Sequence, residues 1–273
     1  MLPLLLAALA APGPDAGSLA APFLPGEQLS YQVSILGATA GTAQLAVGAA
    51  TSVEGLSAWP IVAQASSLGA VDRVFPIHDH DVSWWSPPAR RGVVSRLVAA
   101  EGSNHYGFII RFLPGASGLT ADYRHWDGKG AVHKTVPLPA GTLDFLAAVY
   151  WLRTRPLALG ERDSVPVYMG NDVWPLSVHV LGRQTIATPA GAIPCVHVSI
   201  GAHMTGPFGN RRDLDAWFSD DPRHLPVLLD SEMLIGHLRA MLTKVEGAPL
   251  SGPSIGGGAG FQAGGRGATL PAP

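Results

Sequence analysis

From Glu27 onward the chain alternates. Leu29, Tyr31, Val33 and Ile35 take every second position against Gln28, Ser30, Gln32 and Ser34, the period of a strand with one buried face. Gly37 to Gly41 turns the chain, and Ala43, Leu45 and Val47 continue the pattern. Similar runs follow at Trp59 to Ala65, Val93 to Ala99, Tyr106-Phe108-Ile110-Phe112, Leu119 to Trp126 and Val132 to Val136. Later ones are Val165 to Met169, Trp174-Leu176-Val178-Val180, Val196-Val198-Ile200, Leu214 to Phe218, Pro226 to Asp230 and Leu234 to Val245. Turn residues such as Thr188-Pro189-Ala190-Gly191 and Asp220-Asp221-Pro222 separate them. About a dozen strands at this spacing predict an all-β protein: a curved antiparallel sheet or half-barrel, or a sandwich.

One segment breaks the period. Thr142 to Arg153 has Thr142 as a helix cap, Asp144 in the first turn and Pro156 as a stop. Its apolar residues run almost all the way round, so the helix is expected to be buried, packed into the hollow of the curved sheet. The alternative is a lipid-touching face, with Tyr150 and Trp151 at the boundary and Arg153 and Arg155 at the headgroups.

The two ends differ from this middle zone. Leu2 to Ala11 is apolar and followed by small residues, with Ala8-Leu9-Ala10 and Ser18-Leu19-Ala20 as cleavage sites, so residues 1–21 read as an export signal and spacer. Residues 22–247 form one β-rich domain, and the Gly/Pro/Ala-rich residues 248–273 read as a disordered tail. No apolar run reaches the roughly 20 residues of a membrane-spanning helix. A lone cysteine, Cys195, excludes an intrachain disulfide. These features predict the periplasm or cell envelope of a Gram-negative-type bacterium.

Four stretches resemble motifs of the bacterial family catalogued as domain of unknown function 3108. Pro22-Phe23-Leu24-Pro25-Gly26-Glu27-Gln28-Leu29-Ser30-Tyr31-Gln32-Val33 is similar to its opening, with Leu36-Gly37 to Ala43 as the next turn. Asp144 to Leu157 resembles its helix ending in Tyr-Leu-Arg and Pro-Leu, here with Trp151 in place of the tyrosine. Gly182 to Gly191 resembles its hairpin, and Trp217-Phe218-Ser219-Asp220-Asp221-Pro222-Arg223-His224-Leu225-Pro226-Val227 its closing motif. The resemblance implies an exported, β-rich protein with no established activity, related in shape to the half-barrels of periplasmic lipoprotein carriers. It carries over no catalytic residues.

Composition narrows the chemistry. Hydrophobic residues make up 47% and charged residues 14%, with a net charge of −2, which excludes a disordered chain and a general nucleic-acid binder. Ile77-His78-Asp79-His80-Asp81 is the sharpest local candidate: on a strand His78 and His80 share one face and can share a metal. The bland reading is ordinary polar strand positions. Cys195 reads as a half-buried structural thiol. Asp213, Asp215, Asp220 and Asp221, near Arg211, Arg212 and Arg223, offer a calcium site or, more simply, a turn with charge pairs.

The function expected from these observations is non-enzymatic, needs no cofactor, and holds an apolar, lipid-like ligand or engages an envelope partner. The ligand would contact Phe145, Val149, Trp151, Leu152 and Trp84. Two alternatives are a structural or assembly factor without a small-molecule ligand, and a metal-dependent hydrolase using His78 and His80.

Overall fold

A computed structural model of the chain describes residues 21–115, 118–202, 214–233 and 236–247. Residues 1–20, read above as an export signal, residues 248–273, read as a tail, and Arg211, Arg212 and Asp213 of the acidic cluster lie outside the described residues.

Two meanders make the fold. The first runs through β1 (Gln28–Ile35), β2 (Ala38–Val47), β3 (Thr51–Val53), β4 (Leu56–Ser67), a short helix α1 (Gly69–Val74), β5 (His78–Ser86), β6 (Arg91–Glu101), β7 (Asn104–Gly115), β8 (Gly118–Asp127) and β9 (Gly130–Leu138). Helix α2 (Phe145–Arg153) then crosses to the second: β10 (Arg162–Tyr168), β11 (Val173–Thr188), β12 (Gly191–Ala202), β13 (Leu214–Ser219), β14 (Pro226–Met233) and β15 (Gly236–Glu246). All paired strands are antiparallel, and a single 15-stranded sheet results, with β9 and β10 at its two edges. The meanders join where β1 pairs with β15, Leu29 opposite Val245 and Ile35 opposite Leu238. The alternation read from the sequence is the sheet's inside and outside: Leu29 and Tyr31 are buried, while Gln28 and Gln32 are exposed.

The sheet curls around α2. Leu146, Ala147, Ala148, Tyr150 and Leu152 pack in one cluster with Ile61 and Trp85 of the first meander and with Val167, Leu176, Val178, Val198 and Phe218 of the second. Burying both flanks of one helix is what an all-round apolar segment requires. The helix begins later than the sequence predicts. Leu143 is held extended, its N–H donating to Pro166 O and its carbonyl accepting from Tyr168 N. The cap is therefore Asp144, whose Oδ1 accepts from Ala147 N at 2.9 Å, and the Thr142 hydroxyl donates to Pro139 O instead.

Side chains bring the edge strand β10 onto the first meander. Tyr168 of β10 packs with Phe108, Ile110, Phe112 and Tyr123 of β7 and β8, its ring edge-on to Tyr123 at 6.1 Å. Gly170 follows at φ +105, and a methyl group there would run into the Tyr123 ring. Gly170→Ala is therefore expected to destabilise the protein by about 2 kcal/mol or more, read as a lowered thermal midpoint. An unchanged midpoint would mean the closure contributes nothing.

Candidate functional site

Helix α2 is fixed at both ends by buried ionisable side chains. At its C-terminal end Arg153, 1% exposed, forms a two-pronged ion pair with Glu27, Nη1 to Oε1 at 2.6 Å and Nη2 to Oε2 at 2.8 Å. Its remaining donors reach Arg223 O at 3.1 Å and Pro22 O at 3.3 Å. His224 Nδ1 lies 2.9 Å from Arg153 O, and the guanidinium sits over the rings of Tyr150 and Phe23. Burial alone would lower the pKa of Arg153, but the Glu27 carboxylate outweighs it and raises it. The Glu27 carboxylate and the Arg153 guanidinium are thus matched to each other and to backbone carbonyls, whereas the Tyr150 hydroxyl beside them is buried without a hydrogen-bond partner.

At the other end lies a pair of acids. Ser83 Oγ donates to Asp144 Oδ2 at 2.8 Å, and Gly92 leaves room for that oxygen, since a Cβ there would stand 2.6 Å from it. Two residues along β5 from Ser83, and so on the same inward face, Asp81 has an Oδ1 that is buried with no hydrogen-bond partner. Burial, and then the nearby Asp144 charge, push Asp81 up to about 7. Burial pushes Asp144 up to about 6, against hydrogen bonds from Ala147 N and Ser83. Farther along this face Asp79 is raised by burial and by Glu101. The inner wall of β5 thus carries two carboxyls, Asp79 and Asp81, that burial makes harder to ionise.

The residues expected to hold an apolar ligand do not form one surface. Leu152 is 1% exposed and sits in the core. Val149 and Trp151 are half-buried, Trp151 under the Arg155 guanidinium at 5.4 Å. Phe145 was expected to be sheltered and is 39% exposed, because the later helix start places it at the first turn. Trp84 lies on the face opposite Ser83, against Ala58, Val93 and Val94, away from α2. Its neighbour Trp85 takes the inner position, edge-on to Phe23.

His78 and His80 share the outer face of β5, opposite the carboxyls. His78 Nε2 lies 3.4 Å from Asp72 Oδ1, and burial lowers the pKa of His80. Among the described residues no three His, Cys, Asp or Glu side chains converge as a metal site. Cys195 is fully buried, its thiol pushed up to about 12 by burial and donating to Ile193 O. The described aspartates of the acidic cluster are engaged. Asp215 meets His197 at 2.8 Å, Asp220 meets Arg183 at 2.9 Å, and Asp221 accepts from Ser219 Oγ and Arg223 N in the turn before β14. Two grooves of about 420 and 570 Å³ lie on β1 against β15 and against β2, and no residue of α2 lines either.

The model of the family described as "Protein of unknown function (DUF3108)" matches residues 30–243. No curated protein matches the chain. Among solved structures, the chain is similar to a β-barrel-like protein of domain of unknown function DUF1849 from Brucella abortus. That match has 9% identity, covers 82% of this chain and 98% of the other, and has a TM-score of 0.54; it is a likeness of fold. A protein from Bacteroides fragilis described as exported, with a YmcC-like fold, matches at 13% identity over 81% and 96% of the two chains, with a TM-score of 0.36. One from Parabacteroides distasonis described as a lipoprotein matches at 10% identity over 81% and 95%, with a TM-score of 0.33.

The two ends of α2 respond to different perturbations. Arg153→Met leaves Glu27 buried without a partner and is expected to cost about 3–5 kcal/mol. The double variant Glu27→Leu/Arg153→Met should cost well short of the sum of the single changes in chemical denaturation. Strict additivity would show that the pair does not couple. Asp81 and Asp144 keep protons in the folded protein where the unfolded chain, with a pKa near 3.9, has released them. Stability should therefore fall as pH rises from about 4 to about 7 and level off above. Asp81→Asn should flatten that slope and stabilise the protein near neutral pH by on the order of 2 kcal/mol; a slope left intact would remove Asp81 from the account.

Proposed function

The chain belongs to the DUF3108 family of proteins of unknown function, and from that premise we propose that it is a non-enzymatic envelope protein acting through its outer surface, as a structural or assembly factor. One observation carries the reading: the hollow that would take a cargo is filled by α2, which packs on both meanders and is held at each end by a buried ionisable side chain. A ligand in the hollow would have to displace the buried face of this helix, at a cost that apolar burial of a small molecule does not offset. The Cys195 thiol, buried and raised to about 12, is a poor nucleophile, which supports a role without catalysis. Export to the periplasm is supported by the apolar run Leu2 to Ala11 and its cleavage motifs.

A second reading, an apolar ligand at the side of α2, is favoured by Phe145 and Val149. They stand one helical turn apart and are incompletely covered. Native mass spectrometry of gently purified protein separates the two. The expected result is the mass of the bare chain, together with one reproducible protein partner on crosslinking in cells. A lipid adduct that disappears in Phe145→Ser/Val149→Ser would replace the surface reading with the ligand one.

A further inference from the structure

Two neighbouring features of one rim break local rules. The turn between β1 and β2 is the two residues Leu36 and Gly37, with Ile35 paired to Ala38 and φ of +51 and +80. Turns of this kind favour Asn, Asp or Gly at the first place. Here a leucine occupies it, 71% exposed. The comparable turn between β3 and β4 has Glu54 in that place. Beside it, α1 buries none of its residues; Val74 is 84% exposed, and Leu68 and Phe75, which flank the helix, are also exposed. The two features adjoin, because Leu68 N donates to Ala40 O of β2 and Ser67 pairs with Gly41.

The α1 segment is held outward by bonds that leave it little freedom to fold back. Ser67 Oγ donates to Asp72 and accepts from Ile77 N, and Gly102 N donates to Pro76 O. Charge is sorted as well. Asp72, itself partly exposed, accepts from Ser67 Oγ and lies 3.4 Å from His78 Nε2, while Arg73 is exposed and has no ion pair among the described residues. Separate apolar tips beside a free cation suit a fluid apolar phase under anionic headgroups, which closes around each tip. A protein partner would need a cavity shaped for each.

We propose that this rim, Leu36 with Leu68, Val74 and Phe75, seats in the surface of an anionic lipid bilayer, with Arg73 at the headgroups. The inference goes beyond the function proposed above and does not depend on it. The test is co-sedimentation of the purified protein with phosphatidylglycerol-containing vesicles and with phosphatidylcholine vesicles. Binding should favour the anionic vesicles and weaken about fivefold in Arg73→Gln. Leu36→Asn/Val74→Ser should weaken it about tenfold or more, with the thermal midpoint kept or raised, since Asn suits the turn that Leu36 occupies. No sedimentation of the unaltered protein, or equal sedimentation of the double variant, would overturn the proposal. So would concentration-dependent self-association, without vesicles, that the double variant abolishes, which would assign the rim to a second copy.

Discussion

The Glu27–Arg153 ion pair is the constraint on which the architecture turns. Glu27 precedes the first strand, Arg153 ends the crossing helix, and the carbonyl of Arg223 comes from the turn between β13 and β14. A single guanidinium thus ties the start of one meander, the helix between them and a turn of the other. Two charges placed in an apolar interior are tolerable only when each donor and acceptor is matched. That demand fixes where the helix ends relative to both halves of the sheet.

The opposite end of α2 follows another logic. Asp144 must be buried to cap the helix within the curl, and Asp81 shares that dry space without a cation to balance it. Apolar surroundings then favour the neutral acids. The helix ends in a matched ion pair at one terminus and in protonatable, under-matched acids at the other. Solvent acidity therefore acts on the fold mainly through the Asp144 end.

Much of the fold was legible because its buried face is apolar. Leu29 to Ile35 and Trp174 to Val180 alternate cleanly, and the structure has strands there. The segment β5 was legible only as a hypothetical strand for two histidines, since its inner face bears Asp79, Asp81 and Ser83 and so lacks hydrophobic alternation. The helix was legible from composition, but its start was not. Thr142 and Asp144 are both good caps, and the choice falls to a tertiary contact, Leu143 against β10. The site was the least legible part. Glu27, Arg153 and Arg223 lie in three of the stretches that carry the family resemblance, yet nothing along the chain says that they meet; only the folded path brings them together.

The way the two meanders join has a consequence for how the molecule comes into being. Every other ladder links strands close in sequence, but the one between β1 and β15 unites opposite ends of the domain, as where Thr243 Oγ1 donates to Ser30 O across 213 residues. A ribosome delivers the amino end first, so hairpins of the first half can assemble while β1 waits with a bare flank. The last strand to emerge is the one that covers it. Until then the chain is an unsealed ribbon with an open flank along β1.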